Sequence, residues 1–260
     1  MNDPATLKSP YFTILTASFN RQSTIQETLE SISTQTFRSF EHIVIDGGSR
    51  DKTVEILTEY GRRYPLCWTS EPDEGIADAL NKGLSTAKGQ YIIVLQADDI
   101  LIDAETLEYA FAIINKSKKD IYSFPVLLDD SSRGLIPQNP IRHLWYNRIK
   151  FIFLHQGCFV KRRVFDEIGG FNSSFEIAMD YDFFYRALKN EYSIEFSKRP
   201  VALMGGSGIG TLKKTANDRL REEQRVHMIN EDSNLWRIFQ KLFWRLYIPY
   251  KKWKLRKPEI

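Results

Sequence analysis

The stretch that constrains this chain most is Tyr91 to Asp99, YIIVLQADD, an apolar run that collapses abruptly into two adjacent carboxylates. A short segment rich in Ile and Val and ended by acidic residues reads as a strand buried on both faces, with charge at its carboxyl end. Open α/β sheets bind ligands at that edge. Adjacent carboxylates repel, so Asp98 and Asp99 need a cation, a helix N-terminus or solvent to hold them. Oxygen ligands of this kind suit Mg²⁺ or Mn²⁺, ions that commonly bridge protein carboxylates to the phosphates of a nucleotide. The plainer alternative is a loop pair that caps the helix expected from about Ala104.

The segments around this strand set its surroundings. Tyr11 to Ser18 is a β-branched and aromatic run, followed by a helix from Ser23 to Gln35 with Ile25, Leu29 and Ile32 on one face and Ser23 or Thr24 as cap. Phe40 to Ile45 repeats the strand pattern and ends in the sharp turn Asp46-Gly47-Gly48-Ser49. A helix from Thr53 to Tyr60, a short strand from Leu66 to Ser70 and a helix carrying Ile76, Leu80 and Leu84 complete the approach. Alternation with short links implies a parallel, doubly wound sheet with right-handed crossovers.

Beyond Asp99 the pattern predicts a helix from about Ala104 to Asn115 and a strand from Ile121 to Leu127. Lys150 to Arg162 reads as a strand interrupted by His155-Gln156-Gly157, and Val164 to Ile168 as a short helix. An aromatic helix opens at Met179-Asp180-Tyr181-Asp182, a glycine-rich loop expected to be mobile spans Gly205 to Asn217, and residues 217 to 231 form a charged helix. The fold class is α/β, a Rossmann-like, mostly parallel doubly wound sheet with a C-terminal helical extension. The expected division is 1–215, with a nucleotide-binding half at about 11–100 and an acceptor-side half at about 101–215, then 216–260.

Composition narrows the function classes. The chain of 260 residues can bury one large domain with an appendage. Its start, MNDPATLKSP, lacks a basic and apolar leader pattern, and no apolar run approaches the roughly 18 residues of a membrane span, so a cytoplasmic location is expected. Cys67 and Cys158 stand apart and suggest core or interface thiols. The net charge of +3 hides an asymmetry: from Trp236 onward there are eight Lys or Arg against one Glu, which leaves a mildly acidic body. That body does not suit nucleic acid.

The basic tail carries Leu235, Trp236, Ile238, Phe239, Leu242, Phe243, Leu246 and Tyr247 at helical period, expected to end at Pro249, with Lys251, Lys252, Lys254, Arg256 and Lys257 around Trp253. Such a helix fits the interface of an anionic membrane, here the inner face of the cytoplasmic membrane. Packing of the stripe on the domain is the alternative. The sequence leaves the oligomeric state open.

Six stretches, TASFNR (16–21), IDGGSRDKT (45–53), EPDEGIADALNKG (71–83), YIIVLQADD (91–99), HQGCFVKRRVFDEIGGFN (155–172) and MDYDFFYRAL (179–188), occur in order over about residues 11 to 190. Together they resemble the nucleotide-sugar-dependent glycosyltransferases of family 2, which have the GT-A fold, and the branch that includes colanic-acid-type exopolysaccharide transferases. The resemblance implies an inverting transferase that moves one sugar from a UDP- or GDP-sugar to a saccharide acceptor in cell-surface polysaccharide synthesis, with Mn²⁺ or Mg²⁺. Membrane contact through the tail would suit a lipid-linked acceptor.

By this resemblance Thr16, Ala17, Phe19 and Asn20, with Gln96, Ala97 and Asp98, border the donor. Asp46 accepts a hydrogen bond from the base, unless it serves only to cap its turn. Asp98 carries the metal with Asp99 assisting. Gln96 stands where the family has the first Asp of Asp-any-Asp, and takes over the ribose contact. Lys82 could supply the phosphate charge that many relatives draw from an Arg where this chain has Leu80, or it simply faces solvent. Asp180 matches the general base, with Met179 in place of a usual Glu; a plain N-cap is its alternative. His155 and Gln156 are acceptor-side candidates, although a lone His is more often structural.

The Gln-any-any-Arg-Trp signature of processive synthases is absent, which favours single-sugar transfer. Two rivals remain at this stage. A nucleotidyltransferase should carry a basic glycine-rich loop after its first strand, which FNRQST is not. A non-catalytic protein at the membrane surface draws its support from Gln96 and Met179.

Overall fold

The computed structural model describes residues 9–130, 134–141, 149–150, 153–205 and 215–256. Strands β1 (Phe12–Ser18), β2 (Phe40–Asp46), β3 (Leu66–Ser70) and β4 (Tyr91–Val94) are parallel neighbours in the order β4-β1-β2-β3. Helices α1 (Ile25–Ser33), α2 (Thr53–Tyr60) and α3 (Ile76–Thr86) connect them. This is the alternation expected from the sequence. All seven residues of β1 are buried because the sheet is covered on both sides. Phe12 and Ile14 enter a core with α1, α2 and α4 (Thr106–Ser117), while Leu15 and Ala17 enter a second core with α3.

The sheet then continues past β4 through an antiparallel member. β6 (Ile121–Ser123), β9 (Cys158–Lys161) and β10 (Ile194–Phe196) extend it to seven strands in the order β10-β6-β9-β4-β1-β2-β3, with β9 antiparallel to β4 and β6. A second sheet of four strands combines β5 (Ile100–Leu101), β7 (Val126–Asp130), β8 (Gly134–Gln138) and β11 (Ala202–Met204) in the order β5-β11-β7-β8. The single strand expected over Ile121 to Leu127 is thus two strands in two sheets. Pro125, which has no N–H, sits at the break, where Phe124 N donates to Gly157 O at 2.8 Å and Pro125 O accepts from Val201 N at 3.2 Å.

Other boundaries also differ. Of Lys150 to Arg162, only β9 is strand among the described residues: His155–Gly157 form one 3₁₀ turn and α5 (Arg162–Ile168) begins at the end of β9. Thr24 is the N-cap residue of α1 but does not cap it by side chain; its hydroxyl donates to Ala97 O at 2.7 Å and so ties α1 to the acidic turn. Residues 206–214, most of the expected mobile loop, lie outside the described residues, and Ala216 and Asn217 already belong to a helix. Cys158 is buried, and Cys67 is exposed on β3 at the sheet edge.

Helix α6 (Met179–Lys189) presents Phe183 and Phe184 to the second core, which Val226 of α7 (Ala216–Asn230) also joins. Glu222 of α7 accepts from Ile177 N and Ala178 N, both at 2.8 Å, and so holds the two residues that lead into α6. The last helix, α8 (Asn234–Arg256), does not end at Pro249 but runs through it. Trp244 before the proline and Tyr247 and Lys251 on either side of it share the face turned to the body. That packing outweighs the roughly 3 kcal/mol cost of a proline inside a helix. Leu235, Leu242, Leu246 and Trp253 lie on the opposite, exposed face. No helix among the described residues is long and apolar enough to cross a membrane.

Candidate active site

The carboxyl ends of β1 and β4 open into a cavity of about 610 Å³, the size of a small-molecule site. After β4 the chain turns on itself: Leu95 N still pairs with Leu15 O at 3.0 Å, and Asp99 N bonds back to Gln96 O at 3.0 Å. This turn points two neighbouring acids in different directions. Asp98 is half-buried and lines the cavity. Asp99 is only 2% exposed, and its carboxylate accepts from Gln96 N at 3.0 Å, Gly205 N at 2.9 Å and Gln156 Nε2 at 3.4 Å.

Gly205 is required for that brace. A Cβ there would collide with the backbone oxygen and carboxyl group of Asp98. Burial raises the pKa of Asp99 to about 6, with the charge of Asp98 adding to it and His155 and the two N–H donors opposing. Asp99 thus braces the turn from within the cavity wall, beside Asp98.

The opposite wall comes from the 3₁₀ turn and the start of α6. His155 Nδ1 and Asp180 Oδ2 are 3.0 Å apart, and Asp180 Oδ1 accepts from Tyr181 N at 2.7 Å. Burial disfavours the charged imidazole, but the hydrogen bond to Asp180 and the charges of Asp180, Asp99 and Asp98 outweigh it and hold the pKa of His155 above the usual histidine value. The Asp180 side chain is 27% exposed and faces the cavity at the N-terminus of α6, where the helix dipole favours a carboxylate. His155 Nε2 and Gln156 Oε1 are buried without a hydrogen-bond partner among the described residues, which marks this wall as one that a polar ligand would complete.

Of the residues expected at the donor, Ala17, Phe19, Gln96, Ala97 and Asp98 line the cavity, as do the acceptor-side candidates His155 and Gln156. Four others are placed differently. Thr16 shares the strand face of Phe12 and Ile14 and is fully buried, bonded to Leu95 O at 2.6 Å and to His42 Nε2 at 2.9 Å. Asn20, at φ 51°, staples two loops: its backbone N–H donates to Ser49 Oγ at 2.7 Å and its side-chain Oδ1 accepts from Arg50 N at 2.9 Å.

Asp46 has no exposed surface and accepts from Ser49 N at 2.8 Å, Ser49 Oγ at 2.5 Å and Ser70 Oγ at 2.7 Å. It caps its turn and offers no free edge to a base. Lys82 is held outside the cavity by Glu71 and Asp78, each at 3.2 Å. Arg21, the last residue of the TASFNR stretch and assigned no role from it, is a cation that does line the cavity.

A divalent cation fits this arrangement in one way. Among the described residues no three His, Cys, Asp or Glu groups converge to hold a metal by themselves. Asp98 can supply a carboxylate, and the remaining positions would fall to phosphate oxygens and water, a coordination that Mg²⁺ accepts at nucleotide sites.

The family model for glycosyl transferase family 2 matches residues 13–181. The chain belongs to that family. The protein is thus a glycosyltransferase by membership. It is 30% identical over 190 residues to a PGL/p-HBAD biosynthesis glycosyltransferase of Mycobacterium bovis (strain BCG / Pasteur 1173P2), a match covering 71% of this chain and 72% of the relative. An uncharacterized glycosyltransferase of Rickettsia typhi (strain ATCC VR-144 / Wilmington) is 27% identical over 244 residues, covering 90% and 72%. S. aureus TarS 1–349 in complex with UDP-GlcNAc superposes with a TM-score of 0.69 at 20% identity, over 91% of this chain and 71% of that one. The mannosyltransferase PcManGT from Pyrobaculum calidifontis, in complex with GDP-Man and Mn²⁺, gives 0.66 at 20% identity over 95% and 73%. The fold is therefore that of GT-A transferases.

Proposed function

We propose that the protein is an inverting, metal-dependent glycosyltransferase that moves a single sugar from a UDP- or GDP-sugar to a saccharide acceptor, lipid-linked and destined for cell-surface polysaccharide. What supports this reading most is the convergence of Asp98, His155 and Asp180 on one cavity, with the donor-motif residues Ala17, Phe19, Gln96 and Ala97 at its other end. TarS with UDP-GlcNAc and PcManGT with GDP-Man and Mn²⁺ are precedents for both nucleotides on this fold. A cation at Asp98 would neutralise the diphosphate as it leaves.

The chain's own residues do the rest. Asp180 takes the proton from the acceptor hydroxyl as that oxygen bonds to the anomeric carbon and the bond to the nucleotide diphosphate breaks on the opposite face. His155, bonded to the other oxygen of Asp180, fixes the base in position. Asp99 holds the turn that presents Asp98. Residues 1–215 form the catalytic unit in this reading, and 216–260 an extension that completes the acceptor side. The exposed stripe of α8, flanked by Lys241, Arg245 and Lys252, rests on an anionic membrane at the cytoplasmic face.

Two substitutions test the roles separately. Asp98→Ala should abolish turnover and weaken Mn²⁺-dependent binding of UDP and GDP in calorimetry. Asp180→Asn should leave that binding intact while lowering turnover, followed as donor hydrolysis across a panel of nucleotide sugars, by about 100-fold or more. Near wild-type turnover in Asp180→Asn would remove it as the base. Nucleotide binding in the wild type with no turnover of any donor or acceptor would instead favour a non-catalytic binding protein.

A further inference from the structure

The cavity spans the sheet from the approach to β9 to the exit from β3, and its two ends carry different chemistry. Asp98 follows β4. His155 and Asp180 stand on the β9 side of it, because the 3₁₀ turn His155–Gly157 leads directly into β9. A donor whose diphosphate meets a cation at Asp98 and whose sugar faces Asp180 therefore extends its nucleoside the other way, over the ends of β1, β2 and β3. There the cavity is lined by Ala17 and Ser18 at the end of β1, by Phe19, and by Asp73 and Gly75 beyond β3.

The carboxylate at this end belongs to Asp73. Glu71 N donates to Asp46 O at 2.9 Å, which lays the chain leaving β3 over the turn that follows β2. The Asp73 carboxylate then rests on Gly47: a Cβ at Gly47 would stand 2.5 Å from Asp73 Oδ2, so the missing side chain makes the seat. Asp46, one residue earlier, is closed off by Ser49 and Ser70. Asp73 is half-buried, and among the described residues its carboxylate makes one hydrogen bond, Oδ1 accepting from Gly75 N at 2.9 Å. A carboxylate accepts at about four positions, so most of its capacity is left for a ligand. The other acids that line the cavity lie elsewhere, Asp98 and Asp99 after β4, and Glu176, Asp180 and Glu223 around α6 and α7.

Phe19, 57% exposed at the same end, offers an aromatic face on which any base can stack, so stacking does not choose among bases. The choice falls to the hydrogen-bonding edge. An ionised carboxylate only accepts, and two donors side by side suit it best. Guanine presents such a pair, N1–H beside the N2 amino group. Uracil presents one N3–H between two carbonyl oxygens, which the second carboxylate oxygen would oppose. Adenine and cytosine each set one amino group beside a ring nitrogen that accepts.

We propose that Asp73 reads the nucleobase and selects guanine, so that the donor is a GDP-sugar. The assignment rests on the reading of the cavity as a nucleotide-sugar site with its diphosphate at Asp98. It narrows the two nucleotides which that reading admits to one, and gives to Asp73 the contact that Asp46 is too enclosed to make.

Calorimetric titration of the full-length protein with GDP, inosine diphosphate and UDP, each with Mn²⁺, tests this. Inosine diphosphate differs from GDP only in lacking the N2 amino group. The wild type should bind GDP about tenfold more tightly than inosine diphosphate, the worth of one hydrogen bond to a charged group, and should bind UDP more weakly than GDP by at least as much. Asp73→Asn presents one acceptor and one donor, the complement of the uracil edge. It should bring GDP and inosine diphosphate close to equal affinity, bind UDP no more weakly than the wild type does, and melt with the wild type. A wild type that binds UDP as tightly as GDP, or GDP and inosine diphosphate alike, overturns the choice of guanine and leaves the nucleotide-sugar reading standing. An Asp73→Asn protein that keeps the wild-type ratio of GDP to inosine diphosphate overturns the assignment to Asp73. A wild type that binds none of the three overturns the nucleotide-sugar reading and this proposal with it.

Discussion

Helix α8 offers a direct test because its two tryptophans lie on opposite sides. Trp244 has no exposed surface, donates its Nε1–H to Gln240 Oε1 at 2.9 Å, and lies against His227 with ring centres 5.7 Å apart and beneath the Lys150 ammonium. Trp253, nine residues on, is 55% exposed. Nine residues at 100° each is half a turn beyond two full ones, so the two rings face apart. Trp244→Ala should cost about 3 to 5 kcal/mol, the range for truncating a buried aromatic, and a little more for the lost cation–π contact. For a chain of this size that corresponds to a melting temperature lower by roughly 10 °C.

Trp253→Ala should leave the melting temperature unchanged, since surface substitutions stay within about 0.5 kcal/mol. Its effect should show in cosedimentation with phosphatidylglycerol vesicles, which weakens for Trp253→Ala at low salt and is lost at high salt for the wild type as well. Calorimetric scanning and vesicle pelleting of the two variants in parallel complete the assay. A Trp244→Ala protein that melts with the wild type would show that α8 is not docked on the body. Equal pelleting of Trp253→Ala and wild type would remove the membrane face.

Two further outcomes follow from charges the site does or does not use. His42 and His227 are both buried, and burial lowers each pKa from 6.5 to about 3, with Lys150 adding to the effect at His227. Each is neutral when folded while the unfolded chain takes up a proton below pH 6.5. Stability is thus intact above that value and falls by about 1.4 kcal/mol per pH unit for each histidine as the pH drops toward 3. In urea titrations His42→Gln should shrink the stability difference between pH 7 and pH 5 by about 2 kcal/mol, and an unchanged difference would refute the assignment. Lys82→Ala should leave UDP and GDP affinity unaltered in calorimetry, because Glu71 and Asp78 hold that ammonium outside the cavity; a clear loss would return Lys82 to the phosphates.

What the sequence disclosed was what periodicity and abrupt composition change encode. YIIVLQADD could hardly be anything but a central strand ending in acids, and Asp98, Asp180 and His155 do meet where that strand ends. The second sheet stayed hidden because β5 and β11 are two and three residues long, too short for any alternation to register. Pro125 was the available sign that Ile121 to Leu127 changes sheets. Motif matching also grouped residues without regard to strand faces. Thr16 and Ala17 are adjacent in the same motif, yet the pleat sends Thr16 to His42 and leaves Ala17 on the cavity. Asp46 and Asp98 look alike as strand-end acids, but Ser49 of the glycine turn and Ser70 at the end of β3 both close over the Asp46 carboxylate.

The tail shows why a single apolar stripe underdetermines its partner. Counted along the sequence, the run from Leu235 to Tyr247 is wide enough to be membrane-facing or core-facing, and its width is the clue to both. A helix buried on one side alone needs an arc of roughly 100°. This one carries large apolar side chains at Leu235, Ile238, Leu242 and Leu246 on its outer side and still buries Trp244 on the inner one. Docking through Trp244 fixes which side of α8 remains outward, and the same docking swings Tyr247 and Lys251 into the cavity wall. The contact that completes this end of the cavity wall is therefore the contact that orients the apolar stripe. Any perturbation that releases α8 should alter both together, whereas the outward residues can be changed without touching the cavity.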